Sequence, residues 1–194
     1  SILLSILIVK NFSTDFLINT ILISSAFYLF FITLRDFFSK GFKNLAQNTA
    51  QFGFSLLILS ILFNNLFSTE TITNLKVGQT FENKKTKITF ENISQKEEKN
   101  YKSIIAKFII QDSKGKIENL SPELRIYNQP NIVTSEADIK TTLLSDKFIV
   151  VNVVQNQEFF NIRYQVKPFM LWIWISVILI SAGGLMSILK KEYE

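Results

Sequence analysis

The 194-residue chain contains neither cysteine nor histidine. The first absence excludes disulfides, thiolate nucleophiles and thiolate metal sites. The second removes the commonest general base and the commonest metal-binding side chain. A zinc centre or a hydrolytic site of the usual kind therefore finds no residues here. Proline is scarce as well, with three residues, and none of them interrupts a long apolar run.

Charge is missing just as tellingly from three stretches. Phe16 to Leu34, Leu45 to Phe67 and Phe169 to Leu189 carry no Asp, Glu, Lys or Arg. Each has the length and apolarity of a transmembrane helix. The opening run Ser1–Val9 is too short to cross a bilayer and lacks a basic start and a small-residue cleavage site. It reads as the end of a helix whose beginning is missing, which makes the sequence look like a fragment.

What is present lies mostly in the middle. Residues 68–168 hold 15 of the 21 Lys and Arg and 12 of the 16 Asp and Glu. That is a water-facing domain of sufficient length for one core. The overall charge of +5 is spread along the chain and gives no footprint for nucleic acid. The basic residues also set orientation. Arg35, Lys40 and Lys43 follow the first span and Lys190-Lys191 begin the tail 190–194, whereas the 10–15 loop has only Lys10. The richer side is expected to be cytoplasmic, which puts 68–168 outside, in a periplasm or its equivalent.

Within 68–168, five runs are rich in β-branched and aromatic residues: 88–93, 103–111, 117–127, 147–154 and 159–166. Asp112-Ser113-Lys114-Gly115 marks a hairpin turn between two of them. The expected fold is an integral membrane protein: transmembrane α-helices plus one extracytoplasmic antiparallel β-domain, a small barrel or a sandwich. Its segments are 1–67 (1–9, 16–34 and 45–67 helical), the domain 68–168, the helix 169–189 and a cytoplasmic tail.

Polar residues in the second span draw notice. Gln47, Gln51 and Ser55 repeat every fourth residue, with Asn44 and Asn48 close to the same face, forming a stripe that is costly in lipid. It reads either as hydrogen bonding between helices or as the wall of a cofactor or quinol pocket. Gly183-Gly184 permits close helix approach. Trp172 and Trp174 read as membrane-interface anchors, and Pro168 as a helix-entry residue. Charge-free, proline-free spans speak against a transporter.

Several segments occur in a familiar order. Ala50-Gln51-Phe52-Gly53-Phe54 resembles the Ala-His-x-Gly helix that precedes the last periplasmic domain of the CcmF family of cytochrome c maturation proteins. Val77-Gly78-Gln79-Thr80 resembles the start of that domain. Ser121 to Tyr127 resembles its Pro-Glu-x-Arg-x-Tyr segment, Thr134 to Ile139 its Thr-x-Glu-Ala-x-Ile segment, and Lys167 through Gly184 its final helix. The NrfE branch shares most of this pattern.

The resemblance implies a portion of a bacterial haem lyase complex in the inner membrane, not itself catalytic, with the β-domain in the periplasm. Its partners would be the haem chaperone CcmE, CcmH-like subunits and apocytochrome c, as well as lipid. It also implies a b-type haem near Gln51, where the family has a ligating histidine. Glutamine is a poor iron ligand beside imidazole, so the location carries over and the ligation does not. Glu123, Arg125 and Tyr127 alternate along one strand and share a face. That face reads either as a bracing polar network or as a docking surface, with Arg125 available to a haem propionate. A membrane-anchored β-domain with an assembly or sensing role unrelated to haem is the alternative.

Overall fold

A computed structural model describes residues 2–9, 16–39, 44–83, 86–113, 115–153 and 158–191. The chain divides into two compact units.

The first unit holds four helices: α1 (Ile2–Val9), α2 (Phe16–Ser39), α3 (Leu45–Phe67) and α4 (Met170–Lys191). The last three contain stretches long and apolar enough to cross a membrane. α2 continues through Arg35 and Asp36, where the sequence suggests a loop. Their 3.3 Å ion pair accompanies the helix past the apolar stretch. Val9, Ile23, Ala26, Phe27 and Leu59 make the common core of α1, α2 and α3. With no water to displace in lipid, small residues and hydroxyls do much of the joining. Thr33 and Ser55 share a buried 2.7 Å hydrogen bond between α2 and α3. Between α3 and α4 the backbones come so close that a Cβ on Gly183 would lie 2.7 Å from both the Ala46 oxygen and the Ala50 nitrogen. Gly184 has open space beside it.

The second unit is a β-sandwich. Its first sheet has the order β1 (Thr69–Leu75), β10 (Phe160–Pro168), β9 (Ser145–Val153), β8 (Asp138–Thr141). The second runs β2 (Thr80–Glu82), β3 (Thr86–Glu97), β4 (Tyr101–Asp112), β6 (Glu123–Asn128), β7 (Asn131–Glu136), with β5 (Ile117–Leu120) also on β4. Every pairing with a described register is antiparallel. Among the described residues the two sheets are separate and each retains edges, so of the two expected forms the domain takes the sandwich.

The core follows from alternation. Ile88, Phe90, Ala106, Phe108, Ile110, Leu120 and Leu124 from one sheet meet Leu75, Ile149, Val151, Ile162 and Tyr164 from the other. Phe90 stacks on Phe108 at 4.5 Å and meets Phe160 edge-on at 5.5 Å. After Phe90 a bulge admits one extra residue, and Ile93 rather than Asn92 then packs against the core.

The single strand expected over 117–127 is two. Pro122 has no N–H for a ladder, but its carbonyl accepts from Ala106 N, while Ser121 N donates to Asp138 Oδ2. β5 and β6 thus pair with successive parts of β4. The 112–115 turn forms as read: Gly115 N donates to Asp112 O, and Gly115 takes the positive φ of 80° that glycine tolerates.

Candidate functional site

The outward face of the larger sheet carries a set of polar and aromatic side chains that meet one another. On β6, Leu124 points into the core, so Glu123, Arg125 and Tyr127 point outward. Register then chooses their neighbours. Arg125 lies between Ser103 on β4 and Thr134 on β7, and Ser103 in turn faces Lys96 on β3. Tyr127 lies between Tyr101 and Ile132, and Glu123 lies beside Glu136.

These side chains form a bonded cluster. Arg125 Nε donates to Glu123 Oε2 at 3.2 Å, and Ser103 Oγ donates to the same oxygen at 3.1 Å. The guanidinium carbon sits 5.2 Å from the Tyr101 ring centre, within cation–π range, and that ring is 5.3 Å from Tyr127. Hydrogen bonding to Glu123 raises the already high pKa of Arg125 further, with burial opposing it. Lys96 pairs with Glu98 at 2.6 Å. The result is a guanidinium plane, about one-third exposed, held by Glu123 and stacked on Tyr101, whose ring in turn meets Tyr127. Such a plane can take a carboxylate edge-on or a ring face-on. Sequence reading found Glu123, Arg125 and Tyr127 but not Tyr101, Ser103 or Lys96 as their partners, because register alone supplies those.

The second sequence candidate, Gln51, lies on α3. One face of α3 meets α4 through Ala46, Ala50 and Gly53. Another meets α2, with Phe52 5.7 Å from both Phe30 and Phe37. Gln47, Gln51, Phe54 and Ile61 occupy a third face and are exposed. The polar stripe is therefore split. Ser55 is fully buried against Thr33 and Asn48 is buried, while Gln47 and Gln51 turn away from both helices. A b-type haem does not fit the donor set at this position. The carboxamide of Gln51 is a poor iron ligand, and the chain has no histidine or cysteine to supply a better one.

Trp172 and Trp174, the expected interface residues, sit in the first turns of α4 and diverge. Trp172 Nε1 donates to Leu143 O at 2.8 Å, while Trp174 is 61% exposed.

The sandwich matches a family model described as the CcmF C-terminal beta-sandwich, over residues 66–168. Cytochrome c-type biogenesis protein CcmF of Haemophilus influenzae is 25% identical over 167 residues, covering 84% of this chain and 26% of that protein. CcmF of Pseudomonas aeruginosa is 24% identical, covering 82% and 26%. The biogenesis protein ccl1 of Rhodobacter capsulatus is 35% identical over a shorter stretch, 40% of this chain and 12% of that one. A solved structure titled Cytochrome c Heme Lyase CcmF shares the fold with a TM-score of 0.64, over 95% of this chain and 33% of that chain, at 15% identity. The chain spans about a quarter of the length of the first two relatives.

Proposed function

Since this chain belongs to the CcmF C-terminal beta-sandwich family, we propose that it is the C-terminal portion of a haem lyase subunit in cytochrome c biogenesis. The observation that carries the reading is the extent of the match. Residues 66–168 take in the whole sandwich, and the helices α3 and α4 bracket it in a multi-pass membrane protein.

In this reading the segment assists transfer of haem from a haem chaperone of the CcmE kind to apocytochrome c, beside CcmH-like subunits. In that role it docks partners rather than making or breaking bonds. The outward face around Arg125 is the docking surface: the guanidinium plane takes a carboxylate of the partner or a propionate of its haem, and the tyrosines bound it. The clusters Arg35/Lys40/Lys43 and Lys190/Lys191 favour a cytoplasmic side for those segments. The sandwich then faces the periplasm, where apocytochromes receive haem, and the membrane is the bacterial inner one.

The test is deletion of the gene that encodes this chain, followed by haem staining of c-type cytochromes and a b-type spectrum of the same membranes. Loss of covalently bound haem with b-type cytochromes intact supports the reading. Unchanged c-type cytochromes overturn it.

A further inference from the structure

The turn Thr142–Ser145 joins β8 to β9 yet groups with the helical unit. It is closed on itself: Thr142 N and Thr142 Oγ1 both donate to Ser145 O, at 3.0 and 2.7 Å, and Ser145 N donates to Thr142 Oγ1 at 3.1 Å. Its tip is fastened to the start of α4 through its main-chain carbonyls. Trp172 Nε1 donates to Leu143 O at 2.8 Å, and Phe169 N donates to Leu144 O at 2.9 Å. Phe169 adopts a φ of 59° just before α4, and its ring lies 5.2 Å from Phe63 of α3.

What the tip presents is unusual for a turn. Turn tips favour Gly, Asn, Asp, Ser and Pro. Here two adjacent leucines stand out, 66% and 67% exposed. Their carbonyls are occupied, but their side chains meet little of the protein.

Position identifies what they meet instead. The apolar stretch of α4 runs from Met170 to Leu189, 20 residues. At about 1.5 Å per residue that is about 30 Å, the thickness of a bilayer's hydrocarbon core and no more. The core must therefore begin at the first turn of α4, the turn to which Leu143 and Leu144 are tied. Asn64, near the end of α3, donates to Pro168 O at 2.6 Å, so the ends of the two spanning helices lie at one level. Trp172 marks that level, where indoles favour the headgroup boundary.

We propose that the Leu143-Leu144 turn is a membrane-insertion loop, with both leucines seated among phospholipid acyl chains just below the headgroups, beside Trp172. The occupant is lipid rather than protein: a helix end at the hydrocarbon boundary places the leucines at the level where the acyl chains begin. The inference rests on α4 spanning the membrane and is independent of the reaction served.

The absence of native cysteine makes the test direct. Leu143→Cys and Leu144→Cys, each bearing an environment-sensitive nitrobenzoxadiazole label, are placed in the full chain in phosphatidylcholine vesicles. Both contacts are accepted by the main-chain carbonyls of Leu143 and Leu144, so these substitutions leave them in place. Ser113→Cys in the exposed β4–β5 turn reports water, and Ile178→Cys, 66% exposed on α4, reports the bilayer. The expected result is blue-shifted emission at 143 and 144, quenched several-fold more by lipids spin-labelled near the headgroup than by aqueous iodide, with the reverse at 113. Water-like behaviour at 143 and 144 overturns the proposal. So does shielding from both quenchers, which signals a protein cover such as a second copy. Loss of lipid quenching at 178 removes the spanning helix itself, and the proposal falls with it.

Discussion

Lys147 on β9 donates a 2.8 Å hydrogen bond across the sandwich to Glu118 on β5, whose side chain is only 2% exposed. Lys116 approaches the other carboxylate oxygen at 2.9 Å. The two sheets are thus pinned by a buried ion pair at one end of a core that is otherwise apolar. Breaking such a pair leaves a desolvated charge alone, whereas replacing both partners removes the burden. Glu118→Gln is expected to destabilise the sandwich by about 3 kcal/mol. The double variant Glu118→Leu/Lys147→Met should fall within about 1 kcal/mol of the parent or exceed it. Denaturant titration followed by β-sheet circular dichroism distinguishes these outcomes. Equal losses in both variants would refute the charge argument.

The same pair gives a pH dependence. Burial pushes the Glu118 carboxyl up, but the hydrogen bond from Lys147 and the close positive charges of Lys147 and Lys116 together outweigh it and hold the group below its ordinary value of 4.5. A carboxyl with a depressed folded pKa stabilises fully above the unfolded pKa, and that contribution is lost as pH falls through the folded value. Melting temperatures measured from about pH 7 to about pH 3 should drop for the parent. The gap between the parent and Glu118→Gln should narrow over the same acid window. A constant gap would mean that Glu118 is not titrating there.

Gly183 and Gly184 are neighbours with opposite expectations. A methyl group at 183 meets backbone at 2.7 Å, and one at 184 meets nothing within 4 Å. Gly183→Ala should force α3 and α4 apart and lower stability by about 1–3 kcal/mol, the usual cost of overpacking. Gly184→Ala should be neutral or slightly favourable, alanine being the better helix former. Thermal unfolding in detergent separates the two, and equal effects would contradict the described contact.

Arg125→Ala removes the bond to Glu123 and the stack on Tyr101. Both are partly exposed, so stability should change by no more than about 1 kcal/mol. Under the proposed docking role, covalent haem on c-type cytochromes should fall sharply. Arg125→Lys keeps the charge but loses the planar stack and should rescue only weakly. Full maturation with Arg125→Ala would assign the cluster to bracing the sheet.

Gln51→His tests the position that the family resemblance marks. With glutamine, no b-type band is expected to depend on this residue. With histidine, a reduced-minus-oxidised difference spectrum of the purified membrane protein should gain or sharpen one. Identical spectra from the two forms would place any ligand elsewhere.

Much of this protein is written locally. Transmembrane helices declare themselves because lipid requires some 20 apolar residues in succession. The interior strands β3, β4, β9 and β10 do so because burial leaves long β-branched and aromatic runs. The strands that no apolar run marks, β1, β2, β7 and β8, stand at the ends of the two strand orders. Thr69–Leu75 and Asn131–Glu136 show why: edges bury at most one face and carry Thr, Asn and Glu, so no apolar run announces them.

Pairing, by contrast, is a property of the fold. The outward face shared by Glu123, Arg125 and Tyr127 follows from a period of two, but strand register alone sets Tyr101 beneath the guanidinium and Ser103 beside the carboxylate. Helical spacing groups Gln51 with Ser55, yet the positions of α2 and α4 decide that Ser55 is buried and Gln51 is not. Lys147, which bonds Glu118 from the facing sheet, and Trp172, which holds the carbonyl of Leu143, each lie 29 residues away in sequence. Periodicity fixes which face a side chain takes, whereas only the packing of distant segments fixes what that face meets.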